Sequence, residues 1–193
     1  MKKLTAIAAI IISALIASAS MVQPGLLDSQ AAGTPDTFVI SVTPEDLKPV
    51  EIDRTEQTAG RLTEYASKFL GRKYVWGATG PKNFDCSGFT SHVFRKEGNN
   101  LPRTSRMQWR EGDKVDKDRL RPGDLMFFSS PRSGKGKVGH VGIVVSVDPD
   151  TKNVTFIHAS SSKGITYQKF PDGGYYSRNY IGAKRVIGDK PVA

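Results

Sequence analysis

The chain has 193 residues, of which 38% are hydrophobic, and it carries a formal charge of +9 at neutral pH. Its length fits one domain with extensions and argues against two full domains. The single cysteine, Cys86, excludes an internal disulfide, and the basic residues are dispersed among acids without a nucleic-acid-binding motif, so nucleic acid is not expected as a partner.

The first 19 residues have the order of a signal peptide. A basic start at residues 1–3 precedes an uncharged apolar run at 4–16, and small residues follow at 17–19. The apolar run is shorter than the ~20 residues of a spanning helix, so we expect cleavage after Ala19, or alternatively near residue 31, and no membrane span afterwards. Removing two lysines and no acid lowers the charge from +9 to +7. The mature protein is expected in a periplasm, in a cell wall or outside the cell.

Residues 20–57 are predicted to form an N-terminal arm or linker, because glycines and prolines interrupt the segment and no helical period is present. The stretch "TFVISV" at 37–42 is the one candidate strand in this arm. A folded domain is predicted over residues 58–193.

Helices come first in that domain. Apolar residues at helical spacing from Thr58 to Leu70, followed by Gly71, predict an amphipathic helix with a glycine stop. A glycine-rich loop is expected at 73–84, and a second helix is expected over 86–97. A short third helix is predicted to run through Trp109, capped by one of two hydroxyl residues, Thr104 or Ser105.

Strands follow the helices. Apolar stretches predict strands at 125–128, 140–147, 154–159 and 180–187. This order, helices and then strands, indicates an α+β domain with an antiparallel sheet.

Cys86 has two features that favour reactivity. It stands where a helix is predicted to begin, and the free N–H groups and partial positive charge of a helix N-terminus stabilise an anion. We therefore expect a lowered thiol pKa and an oxyanion hole formed by the same N–H groups.

Of the three histidines, His140 and His158 lie on two consecutive predicted strands, which favours one as a base and the other as its partner. His92 points away from Cys86 on its own helix and is predicted to be structural.

Five stretches occur together and in a fixed order: "GRKYVWGATGPKNFDCSGFT", "LPRTSRMQ", "LRPGDLMFF", "GHVGIVV" and "FIHAS". In these stretches, over residues 58–187, the chain resembles the NlpC family of papain-like peptidoglycan endopeptidases. The resemblance implies a papain-like fold in which N-terminal helices pack on a central antiparallel sheet, with a nucleophile at a helix N-terminus. It also implies hydrolysis of stem peptides between γ-D-glutamate and diaminopimelate or lysine, without a cofactor or metal.

Carried onto this chain, the resemblance makes Cys86 the nucleophile, His140 the base and His158 the third member of the triad. Trp76, Gly88 and others are expected to be structural. The expected substrate contacts are Tyr74, Asp85, Ser87, Arg103, Thr104 and Ser105.

Two further hypotheses stay open at this point. One keeps the fold and nucleophile but changes the bond, as in an amidase or transpeptidase acting on another γ-glutamyl or amide bond. The other is a wall-binding protein without catalysis, against which the presence of Cys86, His140 and His158 argues. The expected partner is peptidoglycan or a released muropeptide, and the chain is expected to be a monomer.

Overall fold

The computed structural model describes residues 54–187. The predicted signal peptide, nearly all of the predicted arm and its candidate strand at 37–42 lie outside these residues. Helix α1 (Arg54–Ser67) begins four residues before the predicted start at Thr58, so the last residues assigned to the arm belong to the helix. It buries Ala59, Leu62 and Ala66 on one face, as its spacing predicted.

The remaining elements follow in the order α2, α3, β1 to β5, α4 and β6. Their bounds are α2 (Cys86–Lys96), α3 (Ser105–Gln108), β1 (Asp113–Val115), β2 (Leu125–Ser129), β3 (Val138–Val147), β4 (Val154–Ser160), β5 (Gly164–Phe170), α4 (Tyr175–Asn179) and β6 (Tyr180–Arg185). A short 3₁₀ helix, Lys117–Arg119, precedes β2. Among these, β1, β5 and α4 were not predicted from the sequence.

The strands form one six-stranded sheet in the order β1-β6-β2-β3-β4-β5. Every pairing is antiparallel, with His158 of β4 opposite Thr166 of β5 and His140 of β3 opposite Phe128 of β2. The predicted α+β class with an antiparallel sheet is therefore confirmed.

Each face of the sheet has its own core, because successive side chains of a strand point to opposite faces. One core joins α1 and α2 to the sheet and includes Leu62, Phe89, Phe127 and Ile143. The second lies on the opposite face and contains Met126, Phe128, Phe156 and Phe170, with Tyr176 of α4 packed against it. The helical layer thus brings the start of α2 to the sheet, and α4 covers part of the other face.

Candidate active site

Cys86 is the first residue of α2 and is 7% exposed. Asp85 caps this helix: its side chain accepts a hydrogen bond from the Gly88 N–H at 2.7 Å, which satisfies one of the free donors of the first turn. Backbone N–H groups of Cys86, Ser87 and Val141 lie near enough to the sulfur to act against the rise of its pKa. The thiol therefore lies against the strand residue that directly follows His140.

Gly88 allows the start of α2 to approach the preceding loop. A Cβ atom at this position would collide with the backbone oxygen of Ala78, and it would lie 3.0 Å from the Asp85 carboxylate. Any larger residue would push the helix away from the loop that faces the thiol. The structural role expected for Gly88 is thus explained by this contact.

The two strand histidines are direct neighbours. His140 Nε2 and His158 Nδ1 are 2.9 Å apart, and the ring planes are perpendicular, with centroids 5.0 Å apart. The other nitrogen of His158, Nε2, lies 3.4 Å from the hydroxyl of Tyr176. A chain of three polar side chains therefore leads from β3 through β4 to α4.

The expected low pKa of the thiol is not what the structure gives. Burial raises the pKa of Cys86 to about 11, and the neighbouring Asp85 carboxylate adds to the rise, while the backbone N–H groups only partly oppose it. The helix N-terminus is present as predicted, but the cost of burying a thiolate is larger than its stabilisation there. The thiol is accordingly protonated at neutral pH.

Both strand histidines are neutral at neutral pH. Burial lowers the pKa of His140 to about 4. The pKa of His158 falls to about 2, first through burial and then through the nearby charges of His140 and Lys163. The resting arrangement is therefore a neutral thiol beside a neutral pair of imidazoles.

Cys86, His140 and His158 line one open cavity of about 600 Å³. Residues from seven different segments of the chain contribute to its wall. They are Tyr74, Trp76, Cys86, Ser130, Pro131, Arg132, Gly139, His140, His158, Ala159, Ser160, Ser161, Ser162, Lys163, Thr166, Gln168, Tyr175 and Tyr176.

Of the six expected substrate contacts, Tyr74 is the one that lines this cavity. Burial raises the pKa of its hydroxyl, as do the nearby Cys86 and Asp85, so the phenol is protonated and can act as a donor. Two isolated β-bridges join Phe84 to Tyr74 and to Thr79, and they hold the loop that carries Tyr74.

Asp85 and Ser87, the sequence neighbours of Cys86, form a connected polar group with Arg103. Arg103 donates to both carboxylate oxygens of Asp85, at 3.1 and 2.6 Å, and to Ser87 Oγ at 3.1 Å. The Gly77 N–H donates to the same carboxylate at 3.0 Å. The Asp85 side chain is thus engaged within the protein, whereas the Arg103 side chain is 41% exposed.

Thr104 and Ser105 lie at the start of α3. Thr104 is its N-cap and accepts from the Met107 N–H at 3.3 Å, and Ser105 is buried. Neither lines the cavity, so what the structure assigns them is a helix start. Gln108 at the end of this helix contacts Ser87, Thr90, Ser91 and Pro102, and so fixes α3 against α2.

His92 lies apart from the cavity, as its helical position predicted. Its Nε2 is 3.2 Å from the hydroxyl of Tyr65, and its ring packs against Tyr65, Phe69 and Phe84. It is a member of an aromatic cluster between α1 and α2.

Trp76 and Tyr176 are among the cavity residues that were not recognised as site residues in the sequence. Trp76, expected to be structural, is instead 66% exposed at the cavity rim, where the Arg132 guanidinium lies 4.1 Å from its ring centroid. Tyr176 contacts His158 from a five-residue helix. The doublet of tyrosines after two glycines was the one local signal for Tyr176, and no periodicity marked it.

Within residues 54–187, no three side chains of His, Cys, Asp or Glu are arranged to hold a metal ion. In the same part of the chain, no helix is long and apolar enough to cross a membrane.

The family model described as "NlpC/P60 family" matches residues 71–185. The chain belongs to the NlpC/P60 family. A protein of Listeria welshimeri named probable endopeptidase p60 is 40% identical over 125 residues, which are 65% of this chain and 22% of that protein. A protein of Bacillus cereus named gamma-D-glutamyl-L-lysine dipeptidyl-peptidase is 36% identical over 129 residues, 67% of this chain and 37% of that one.

A crystal structure of an NlpC/P60 family protein from Bacillus cereus superposes with a TM-score of 0.58 at 35% identity, covering 67% of this chain and 40% of the other. This likeness agrees with the papain-like fold that the sequence predicted. The chain spans only 21–24% of the length of three similar Listeria proteins, so the similarity concerns one part of those proteins and not their whole length.

Proposed function

We propose that this chain is an exported cysteine peptidase that hydrolyses peptidoglycan stem peptides at the bond between γ-D-glutamate and the following diamino acid. The observation that carries the proposal is one cavity lined by Cys86, His140 and His158, with the two imidazoles 2.9 Å apart. Membership of the NlpC/P60 family and a relative named for the γ-D-glutamyl-L-lysine bond support the choice of bond.

The histidine pair suits His140 to the role of base. If His140 carries its proton on Nε2, it donates to His158 Nδ1, and its own Nδ1 is free to accept the thiol proton. His158 then carries its proton on Nε2 and donates to the Tyr176 hydroxyl at 3.4 Å. In this arrangement His158 orients the base, and Tyr176 fixes the tautomer of His158.

The reaction begins from the neutral thiol. As Sγ of Cys86 attacks the carbonyl carbon, its proton passes to Nδ1 of His140, so that a free thiolate never has to form in the buried site. The backbone N–H groups at the start of α2 stabilise the negative oxygen of the tetrahedral intermediate. The protonated His140 then gives its proton to the leaving amine, and a thioester remains on Cys86.

Water completes the cycle. His140, neutral again, accepts a proton from the water that attacks the thioester carbonyl, and Cys86 leaves as a thiol when the proton returns to it. The products are a peptide ending in γ-D-glutamate and a fragment with a free amine on the diamino acid.

Arg103, Asp85 and Ser87 are proposed to contact the γ-D-glutamyl part of the substrate. Arg103 is held in a two-point ion pair by Asp85, the residue next to Cys86, and its side chain stays 41% exposed. Tyr74 would donate its hydroxyl from the opposite loop. Thr104 and Ser105 would act on the substrate only indirectly, by starting the helix that follows Arg103.

The predicted signal peptide, residues 1–19, supports export to a periplasm, a cell wall or the medium. The charge of +7 that remains would favour anionic wall polymers. The arm from residue 20 to the start of α1 would then precede the catalytic domain in the exported protein. Peptidoglycan or released muropeptides are the proposed partners of a monomeric chain.

The test uses the purified full chain with L-Ala-γ-D-Glu-diaminopimelate tripeptide and, separately, with whole peptidoglycan. We expect release of the free diamino acid, or wall fragments cut at that bond, and a Cys86→Ala variant should release neither. Mass spectrometry identifies the products. Circular dichroism of the variant, expected to match the unmodified chain, excludes misfolding as the cause.

The same experiment separates the alternative functions. Absence of cleavage by a protein whose Cys86 still reacts with iodoacetamide would contradict the proposed bond and favour an amidase or transpeptidase. If Cys86 does not react with iodoacetamide and neither substrate is cleaved, but the folded chain still binds peptidoglycan, the result would instead favour a wall-binding protein.

A further inference from the structure

The cavity that contains Cys86 has an uneven charge. Two cationic side chains, Arg132 and Lys163, line it, and its wall contains no aspartate or glutamate. Four serines, at positions 130, 160, 161 and 162, supply further hydrogen-bonding groups. Such a wall is complementary to a ligand group that carries negative charge.

Arg132 is held in place at the rim. Its guanidinium stacks on the exposed ring of Trp76, with 4.1 Å between the guanidinium carbon and the ring centroid. The loop that carries it is closed by Ser133, whose hydroxyl donates to the Lys137 carbonyl at 2.7 Å and accepts from the Ser130 N–H at 3.0 Å. The cation is therefore positioned before a ligand arrives, which reduces the entropy lost on binding.

Lys163 also lines the cavity, from the turn between β4 and β5. Its N–H donates to Ser160 Oγ at 3.3 Å, and its charge is close enough to lower the pKa of His158. Arg132, by contrast, lies near Tyr74, and its positive charge acts to lower the pKa of the Tyr74 hydroxyl. Both cations therefore line the cavity that contains the reacting residues.

The nearby acids do not neutralise these cations. Within the described residues 54–187, neither Arg132 nor Lys163 takes part in an ion pair. Asp85 pairs with Arg103 at 2.6 Å, and Asp172 accepts hydrogen bonds from Gly174, Tyr176 and Ser177 of its own loop and helix.

We infer that Arg132 and Lys163 form an anion subsite that binds the side-chain carboxylate of the diamino acid, so that the chain prefers diaminopimelate to lysine. This inference rests on the proposed function. The two amino acids differ by one carboxylate at the end of the side chain, where lysine carries an ammonium alone. A diaminopimelate side chain has no net charge and offers a carboxylate, whereas a lysine side chain brings a third positive charge into a cavity that already holds two.

The similar protein of Bacillus cereus is named for a γ-D-glutamyl-L-lysine bond. The charge of this cavity argues that the present chain differs from that relative in its diamino acid. The preference for diaminopimelate would have two causes, which are attraction of its carboxylate and repulsion of the lysine ammonium.

The first experiment compares hydrolysis of L-Ala-γ-D-Glu-diaminopimelate with that of L-Ala-γ-D-Glu-L-Lys by the full chain. We expect kcat/KM to be about five- to tenfold higher for the diaminopimelate peptide, the range that one partly exposed charge-assisted contact supports. Arg132→Gln and Lys163→Gln should each reduce this ratio toward one, mainly by lowering the value for the diaminopimelate peptide. Lys135→Gln and Lys169→Gln are the controls, since both lysines are exposed and lie outside the cavity wall, and the ratio should not change.

The second experiment measures binding of the same two peptides to the Cys86→Ala chain by calorimetry, alone and combined with each substitution. The subsite is supported if the diaminopimelate peptide binds more tightly than the lysine peptide and if Arg132→Gln and Lys163→Gln abolish this difference. That conclusion holds even if neither peptide is cleaved, because absence of cleavage would contradict only the proposed reaction. Equal hydrolysis and equal binding of both peptides, or equal losses for both in the two variants, would overturn the subsite and leave the peptidase intact. Failure to bind or cleave either peptide would overturn both.

Discussion

Two regions of the molecule place a histidine beside a tyrosine hydroxyl. Between α1 and α2, His92 Nε2 lies 3.2 Å from the hydroxyl of Tyr65. On the sheet, His158 Nε2 lies 3.4 Å from the hydroxyl of Tyr176. Aromatic rings surround the imidazole in both places, and burial lowers the pKa of both histidines. Local chemistry alone therefore does not distinguish a structural histidine from a candidate catalytic one.

The two histidines differ in what their other ring nitrogen contacts. His158 continues through its Nδ1 to His140, in the cavity that Cys86 lines. The partners of His92 are the Tyr65 hydroxyl, a backbone group of Thr79 and aromatic rings, none of which lines that cavity. A lowered pKa is common to both regions, so it follows from packing. Connection to the thiol and to open space is the feature that indicates chemistry.

The largest effect should come from breaking that connection at the base. His140→Ala removes the group that accepts the thiol proton, and we expect kcat/KM for the tripeptide to fall by at least about 10³-fold. Steady-state hydrolysis followed by mass spectrometry measures the loss. A variant that keeps more than a tenth of the activity would show that His140 is not the base, and thermal unfolding of the same sample checks that the fold is intact.

The pH dependence of thiol alkylation should be the next largest effect. The pKa of Cys86 is raised to about 11, so the thiolate fraction increases about tenfold per pH unit below that value. His140, with its pKa lowered to about 4, stays neutral across this range and adds no second step. Between pH 6.5 and 8.5, the alkylation rate with iodoacetamide should rise roughly 100-fold. A rate that is constant over this interval would reveal a preformed thiolate–imidazolium pair instead.

The Tyr176 hydroxyl should have a smaller effect. Tyr176→Phe keeps the ring that packs on Phe128 and Phe156 but removes the partner of His158 Nε2, so the tautomer that leaves His140 Nδ1 free is less favoured. The loss of one such hydrogen bond corresponds to about a fivefold decrease in kcat, with KM unchanged.

Tyr65→Phe is the matched control for that prediction, since it removes the partner of His92 in the same way. Its kcat should stay at the level of the unmodified chain. Equal decreases in both variants would mean that the hydroxyls stabilise the fold rather than the base, and the pH profile of kcat should change in Tyr176→Phe alone.

The sequence predicted the parts of the fold that have strong periodicity. The apolar spacing of α1 and the continuous apolar runs of β2, β3 and β4 each appeared where expected. The edge strand β5 was missed because its middle residues, Thr166 to Lys169, are polar or partly exposed, so they look like a loop. The three-residue β1 pairs with β6, about 70 residues later, and no local pattern specifies such a distant partner.

In the site, sequence reasoning named Cys86, His140 and His158, which line one cavity, but it did not predict the environment of these side chains. The spacing of consecutive strands suggested that His140 and His158 would be neighbours, and the structure places them 2.9 Å apart. The thiol pKa was expected to be low because only the helix N-terminus is visible in a sequence, while burial depends on the packing of distant segments. Arg132 and Lys163 meet in one cavity for the same reason, since two separate loops bring them together. The catalytic and binding roles of these residues stay predictions until the variants are measured.

The smallest effect should come from His92. His92→Phe preserves the aromatic packing on Phe69 and Phe84 and removes the hydrogen bonds of His92 to the Tyr65 hydroxyl and to the Thr79 backbone, so the free energy of unfolding should fall by about 1–2 kcal/mol. Urea denaturation measures this change, and kcat/KM for the tripeptide should be unaltered. A tenfold loss of activity without a loss of stability would place His92 in the catalytic machinery, because packing would then not account for its effect. Such a result would remove the distinction between the two histidine regions, since contact with the cavity would no longer separate a structural imidazole from a functional one.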